Sequence, residues 1–327
     1  MTPITPESPD PVSYRNLSAA TTVVGVIGDP VAHSLSPRLH NVAFAHLGLD
    51  WVSLGFQVVE GSAAEALVGA RALGFRGLSV TMPHKETVAA LVDRRTEIAE
   101  RLGAVNCVTN LDGLLVGDNT DGRGLVAALR RGGHFDPDGR RCLVVGAGGA
   151  ARSIIAALAD SGASEVVVVN RTEERAVAAA ALAGAVGRVG NPGDASQCDL
   201  VVNATPAGMQ GIGSPPGPSA GSLAGPSAGS LAGPSAGSLA HSLLPEPDRL
   251  DPWALDPGLL GPGQVAVDLV YHPAVTPWLE VARSRGAEVL NGLGMLVHQA
   301  ALQLETWTGQ EPPVHAMWRA ISEFTSE

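Results

Sequence analysis

At 327 residues with 45% apolar content, the chain is long enough to build two lobes of ordinary size, each with a buried core. A net charge of −11 excludes an extended nucleic-acid surface, which needs an excess of Lys and Arg, but not a small basic pocket for a small anion. No run approaches the ~20 consecutive apolar residues of a membrane span, and Cys107, Cys142 and Cys198, odd in number and set among apolar neighbours, suit neither a disulfide framework nor a metal site. They read as small core residues of a protein of the reducing cytoplasm.

Residues 1–20 are rich in Pro, Ser and Thr and lack the basic start and apolar run of a secretion signal, so they read as a disordered lead. From Val23 onward, short apolar runs alternate with stretches of helical period, the pattern of an α/β fold with mainly parallel strands. Residues 23–27 predict a strand, 37–47 a helix, 51–58 a second strand, 63–73 a helix and 77–81 a third strand. Between the first strand and its helix stands His33-Ser34-Leu35-Ser36-Pro37. Ser36 before Pro37 predicts an N-cap followed by proline at the first helical position. Ser34 and Ser36 then lie at a positive helix end, where two hydroxyls can hold a carboxylate.

Three further polar clusters follow: Ser79-Val80-Thr81-Met82-Pro83-His84-Lys85, Gly103-Ala104-Val105-Asn106 and Gly117-Asp118-Asn119-Thr120-Asp121-Gly122. Each follows or ends an apolar stretch, so Thr81, Lys85, Asn106 and Asp121 are expected at the carboxyl ends of strands, where open α/β sheets place ligands. A carboxylate beside a lysine orients the ammonium group and tunes its pKa, which makes Lys85 and Asp121 a candidate proton-transfer pair. Residues 118–124 read as a polar, Gly-rich connection, with a helix beginning over residues 125–129.

A second lobe opens with the apolar run 142–146. Its remaining core runs, residues 165–169, 199–203 and 265–271, are rich in valine and suit parallel strands buried on both faces. Gly146-Ala147-Gly148-Gly149-Ala150-Ala151-Arg152 follows a strand and opens a helix, which is the G-x-G-x-x-A form of the dinucleotide fingerprint in the context that form requires. The next strand ends Val169-Asn170-Arg171-Thr172. No acid stands at this corner to take a ribose 2′-hydroxyl; Arg171 can pair a 2′-phosphate through its planar fork, with Asn170, Thr172 and Arg175 as further donors, so the expected cofactor is NADP. Within this lobe the unit GPSAGSLA begins at Gly217, Gly225 and Gly233. Poor in charge and aromatics, it cannot bury enough surface to offset chain entropy, and residues 213–248 read as a flexible surface insertion. Near the C-terminus Met295 and Gln299 stand four apart, on one helical face, and Gln299 is a polar residue among Leu296, Val297, Ala300 and Leu304.

Taken in order, these motifs, with Asn203-Ala204-Thr205, Asp268-Leu-Val-Tyr271 and Gly292-Leu-Gly-Met295-Leu-Val-His-Gln299, resemble the shikimate dehydrogenase family, and the resemblance runs from about Val24 to the C-terminus with the repeat insertion outside it. It implies reversible NADPH-dependent reduction of 3-dehydroshikimate to shikimate, a step of chorismate and aromatic amino acid biosynthesis. It implies that Ser34 and Ser36 bind the substrate carboxylate, that Thr81, Asn106, Asp121 and Gln299 hold the ring hydroxyls with Tyr271 nearby, and that Lys85 and Asp121 carry the proton transfer. It also implies that Asn203, Ala204 and Thr205 run past the cofactor and that Met295, with Gly292, borders its nicotinamide. Ser79 departs from the family's usual asparagine, which touches a substrate hydroxyl, so quinate or aminoshikimate stands as an alternative substrate; a non-catalytic NADP-binding sensor is the reading of a different class. The implied architecture is an α/β substrate domain of residues 21–120 and 292–327, a Rossmann-type NADP domain of residues 121–291 and an active-site cleft between them. The expected partners are the small substrate alone, without nucleic acid or membrane, in a monomer or homodimer.

Overall fold

Two six-stranded sheets organise the chain in the computed structural model, which describes residues 17–205 and 255–321. The repeat insertion and most of the N-terminal lead lie outside the described residues. In the first sheet, β1 (Thr22–Gly28) pairs in parallel with β2 (Trp51–Gln57) and β3 (Gly77–Val80). The helices α1 (Ser36–His46), α2 (Ala63–Ala72) and α3 (Lys85–Leu91) follow these strands in turn. The apolar runs that predict these strands are buried from Val24 onward in β1 and throughout β3, as the α/β pattern requires.

Beyond β3 the sheet turns antiparallel. After the short β4 (Arg94–Arg95) and α4 (Glu97–Leu102) comes a hairpin of β5 (Cys107–Leu111) and β6 (Leu114–Asp118). Its turn is Asp112-Gly113, both at positive φ, the backbone that a two-residue hairpin loop demands. Asn110 Oδ1 accepts from Gly113 N–H at 2.7 Å and closes the turn. The strand order is β2-β1-β3-β5-β6-β4.

The second sheet holds β7 (Arg141–Val145), β8 (Glu165–Val169), β9 (Gly187–Val189), β10 (Leu200–Asn203), β11 (Val265–Asp268) and β12 (Glu288–Asn291), all parallel, in the order β12-β11-β10-β7-β8-β9. This is the doubly wound Rossmann order, with the chain reversing direction between β7 and β10. The helices α6 (Gly149–Asp160), α7 (Glu173–Ala180) and α8 (Pro277–Ser284) cover it. Cys142 and Cys198 are buried in this lobe and Cys107 in the first, all unbonded, so the three cysteines are core residues. Burial pushes the Cys142 thiol up to about 12 and Cys198 to about 11, which leaves both inert.

Two helices join the sheets, α5 (Asp121–Gly132) and α9 (Leu293–Thr308), while α10 (Val314–Ile321) packs on α1 and α9 in the first lobe. α9 returns the chain to the first sheet, where Leu293, Val297, Ala300 and Leu304 share a core with Val24, Leu39 and Phe44. Trp307 Nε1 donates to Val108 O at 3.0 Å and pins its far end to β5. On another face, Met295 belongs to the core of the second sheet with Leu125 and Leu129 of α5.

Two local expectations are corrected. Helix α1 starts at Ser36 itself, because Leu35 already holds near-helical angles (φ −81°, ψ −7°) and occupies the cap position; Ser34 Oγ, not Ser36, accepts a first-turn N–H, that of Ser36, at 3.3 Å. Helix α5 starts at Asp121, not near Leu125, so Gly122 and Gly124 are helical. They are there for contact: a Cβ on Gly122 would lie 2.1 Å from Ser153 O of α6, and one on Gly124 would lie 2.7 Å from the Gln299 N of α9. The low helix propensity of glycine is outweighed by backbone approach on two sides. Replacing Gly122 by alanine should therefore lower unfolding stability by ~1–3 kcal/mol or more through overpacking against a backbone atom; urea unfolding measures it, and a neutral or stabilising substitution would contradict this packing.

Candidate active site

The loops after β3 and β6, the start of α5 and the middle of α9 converge on four side chains. Lys85 opens α3 and projects its ammonium to Asp121, with Nζ donating to Oδ2 at 2.5 Å. Asp121 opens α5, and its other oxygen accepts from Asn106 Nδ2 at 2.7 Å. Asn106, at the approach to β5, also donates to Gln299 Oε1 at 3.3 Å and to Thr120 Oγ1 at 3.0 Å. Its own Oδ1 accepts from Thr120 N–H at 2.8 Å. The Gln299 amide spends its Nε2 on Leu296 O at 3.0 Å. The side chains of Lys85 and Asp121 are 16% and 5% exposed, so the pair is shielded yet reachable through the lysine.

Backbone bonds fix these positions. Asn106 O accepts from Val80 N–H at 2.8 Å and from Gln303 Nε2 at 2.9 Å, and Val105 N–H donates to Lys85 O at 2.9 Å. Thr81 is held by its N–H to Ile27 O at 2.9 Å, just past the end of β3, while Ser79 is buried within that strand. Ser34 and Ser36 stand at the start of α1, after the end of β1. Tyr271, half-buried, packs on the same core as Leu35 and Leu296, and burial pushes its phenol pKa up.

Facing this cluster is the Gly-rich turn. Gly146 holds φ +118°, a conformation that L side chains rarely adopt, and its missing Cβ would sit 3.1 Å from Ala204 O at the end of β10. The two residues therefore flank the point where the strand order reverses, the place where doubly wound sheets bind dinucleotides. Gly148 is the cap position of α6 and offers no side-chain bond to the first turn; a Cβ there would meet nothing within 4 Å. The helix thus presents unspent N–H groups and the space for a pyrophosphate. Gly149 touches the other lobe: its Cβ position lies 3.5 Å from Lys85 Cδ. The turn carrying the phosphate site and the lysine of the candidate proton pair are neighbours.

The corner after β8 is built as the residues suggest. Asn170 Nδ2 donates to Thr172 O at 2.9 Å and braces the turn, while Arg171 and Arg175 are exposed and make no ion pair among the described residues. Thr205 caps β10, where both its N–H (3.2 Å) and its Oγ1 (2.7 Å) donate to Asn203 Oδ1. Gly292 precedes α9, and a Cβ on it would strike Leu269 O at 2.0 Å. The open Gly turn and the donors of the β8 corner suit a nucleotide that carries a pyrophosphate and a phosphorylated ribose. Asn119 Oδ1 accepts from Asp121 N–H at 3.1 Å and Ser153 Oγ from Gly122 N–H at 2.7 Å, contacts with the first turn of α5 that residue type and spacing do not signal.

The arrangement of a Rossmann lobe whose phosphate turn abuts a shielded Lys–Asp pair on a second α/β lobe defines a two-lobed, nicotinamide-nucleotide-dependent dehydrogenase. The model of the shikimate dehydrogenase substrate binding domain matches residues 26–108, that of shikimate/quinate 5-dehydrogenase residues 129–207 and that of the shikimate 5′-dehydrogenase C-terminal domain residues 292–321. The NADP(+) shikimate dehydrogenase of Moorella thermoacetica is 41% identical, covering 94% of this chain and 95% of its own; that of Methanopyrus kandleri is 40% identical, over 94% and 97%. The crystal structure of the Thermus thermophilus shikimate 5-dehydrogenase with NADP(H) and shikimate superposes with a TM-score of 0.74 at 34% identity, over 93% of this chain and 99% of that one. The chain belongs to the shikimate dehydrogenase family. No helix among the described residues is long and apolar enough to cross a membrane.

The α1 segment that carries Ser34 and Ser36 is anchored by His40, fully buried, whose Nδ1 lies 3.0 Å from Ser53 Oγ and whose ring meets Trp307 edge-on at 5.1 Å. Burial lowers its pKa from 6.5 to about 3, opposed only in part by the Gln303 side chain. The folded state therefore holds His40 neutral while the unfolded chain takes up a proton below 6.5, so stability is full above that pH and is lost as the pH falls from 6.5 toward 3. Urea unfolding of wild type and His40→Phe at pH 7 and pH 5 should show the loss in wild type and a shallower one in the variant; equal slopes would contradict it.

Proposed function

We infer that this chain interconverts 3-dehydroshikimate and shikimate with NADPH and NADP⁺. The observation that carries the reading is the Lys85–Asp121 pair, held by Asn106 and Gln299 and touching the phosphate turn through Gly149. In the proposed site Ser34 and Ser36 hold the substrate carboxylate. Thr81, Asn106, Asp121 and Gln299 hold the ring hydroxyls, with Ser79 and Tyr271 at the edge of the pocket. The Gly146, Ala147, Gly148, Gly149, Ala150 and Ala151 turn takes the pyrophosphate, and Arg171, Arg175, Asn170 and Thr172 take the 2′-phosphate. Ala204, Thr205, Gly292 and Met295 line the path to the reacting ring.

The reduced cofactor supplies the hydride. The protein's part is to place the carbonyl carbon in its path and to answer the charge that grows on the oxygen. Lys85 is the donor within reach: its ammonium gives a proton to the developing alkoxide at C3. Asp121 holds the ammonium in line through Oδ2 and keeps Oδ1 fixed by Asn106, so the proton donor does not wander between turnovers. In the reverse direction neutral Lys85 takes the hydroxyl proton. Shielding of the pair from water strengthens these interactions.

The division of labour that follows is a substrate unit of residues 21–120 and 292–327 and a cofactor unit of residues 121–291, working in the reducing cytoplasm, where three buried thiols stay unpaired. Nicotinamide absorbance at 340 nm reports the reaction directly. Lys85→Ala should lower kcat by roughly 10² or more while NADPH binding persists; unchanged turnover would remove Lys85 from the mechanism, and a wild type that binds NADPH but is silent with shikimate would move the substrate to quinate or aminoshikimate. Arg171→Ala should raise KM for NADP⁺ by roughly 10- to 100-fold, the worth of a charge-assisted pair, and leave KM for NAD⁺ nearly unchanged. An equal effect on both nucleotides would refute the 2′-phosphate role.

A further inference from the structure

The first turn of α5 carries Asp121 yet has no cap of its own, because Thr120 at the cap position makes no side-chain bond to the turn. The two N–H groups that open the helix are taken by the residue just before the cap position and by a side chain of α6. Asn119 Oδ1 accepts from Asp121 N–H at 3.1 Å, and Ser153 Oγ accepts from Gly122 N–H at 2.7 Å. The Ser153 hydroxyl then donates to Asn119 Oδ1 at 2.8 Å, which closes the ring of bonds. Asn119 Nδ2 donates to Ala104 O at 2.9 Å and ties the ring to the loop before Asn106. Ser153 and Asn119 are 3% and 1% exposed, so water does not replace a bond that is lost.

Ser153 stands on α6, the helix whose N-terminus faces the pyrophosphate, one turn beyond Gly149 and its contact with Lys85. The reach is short for a physical reason: the bare Gly122 backbone lies against Ser153 O, and at that separation only a side chain with its oxygen one bond beyond Cβ fits and still bonds. We propose that Ser153 is a positioning residue, which from the cofactor helix completes the cap of α5 and so sets the Asp121 carboxylate against Lys85. The proposal rests on the Lys85–Asp121 reading of the reaction. Without the hydroxyl, Gly122 N–H is buried unpaired and Asn119 loses a donor, the α5 start relaxes, and the carboxylate drifts from the geometry in which it holds the ammonium. A displacement of the order of 1 Å at a reacting group slows chemistry by up to about 10²-fold.

The test is a double-mutant cycle at saturating shikimate and NADP⁺. Ser153→Ala should lower kcat roughly tenfold or more, with both KM values within about twofold of wild type and NADPH binding intact. In an Asp121→Asn background the same change should cost less than about twofold, because its target is already gone. Asn119→Ala breaks the ring from the substrate side and should behave alike, so misfolding of one variant leaves the other to decide. Wild-type kcat in both variants, or a Ser153→Ala loss that multiplies in full with Asp121→Asn, would overturn the proposal. An Asp121→Asn enzyme as fast as wild type would instead overturn the proton-pair reading, and the proposal with it.

Discussion

Helix α5 is squeezed at its first turn between α6 and α9, and the fold rests on the two glycines that let it be. Gly122 admits the backbone of α6 and Gly124 admits that of α9. Asp121 rides on this junction, so the carboxylate stands where the cofactor helix, the substrate sheet and the returning C-terminal helix meet. Any side chain at either glycine would hold the two lobes apart. The polar side chains that matter are then short-range consequences: Asn106 and Gln299 lie within bonding reach of one another because α9 can approach so closely.

The electrostatics follow the same plan. Every polar atom of Asn106 is engaged, its side chain by Asp121, Gln299 and Thr120 and its backbone by Asp118, Val80 and Gln303. A cluster satisfied internally to this degree holds its polar side chains in fixed positions while no ligand competes for them. In the second lobe Asp268, fully buried, has its carboxylate pKa raised by burial while Thr276, Val270 and Asn203 donate to it. It links the ends of β10 and β11 beside the cofactor crevice.

Much of this is legible in the residues and some is not. The valine runs give the parallel strands because strands buried on both faces leave no polar alternation to misread. The Gly turn is legible because its function demands glycine at fixed spacing after a strand. The β5–β6 hairpin is hidden in a run whose apolar alternation is weak, although Asp112-Gly113 is its turn signal. The start of α5 is misread for a sound local reason: Asp-Gly-Arg-Gly has the propensity of a loop, and only contacts with α6 and α9, far off in sequence, make it helical. Lys85, Asp121, Asn106 and Gln299 are each recognisable as unusual polar residues, but their bonds span up to 193 positions and no spacing rule encodes that. Ser153 is a small polar residue inside an apolar helix and carries no signal until Gly122 is seen against it.

The path of α9 has a consequence for how the molecule is made. The face of the first sheet that holds Val24, Leu39 and Phe44 is covered by Leu293, Val297 and Trp307, more than 240 residues later. During synthesis at ~5–20 residues per second, that apolar face waits many seconds for its cover, with the whole second lobe made in between. The nascent chain is therefore most prone to aggregate in this interval. The polar cluster around Lys85 and Asp121 is likewise completed only once α9 is made, when the same helix that seals the core brings Gln299 to Asn106.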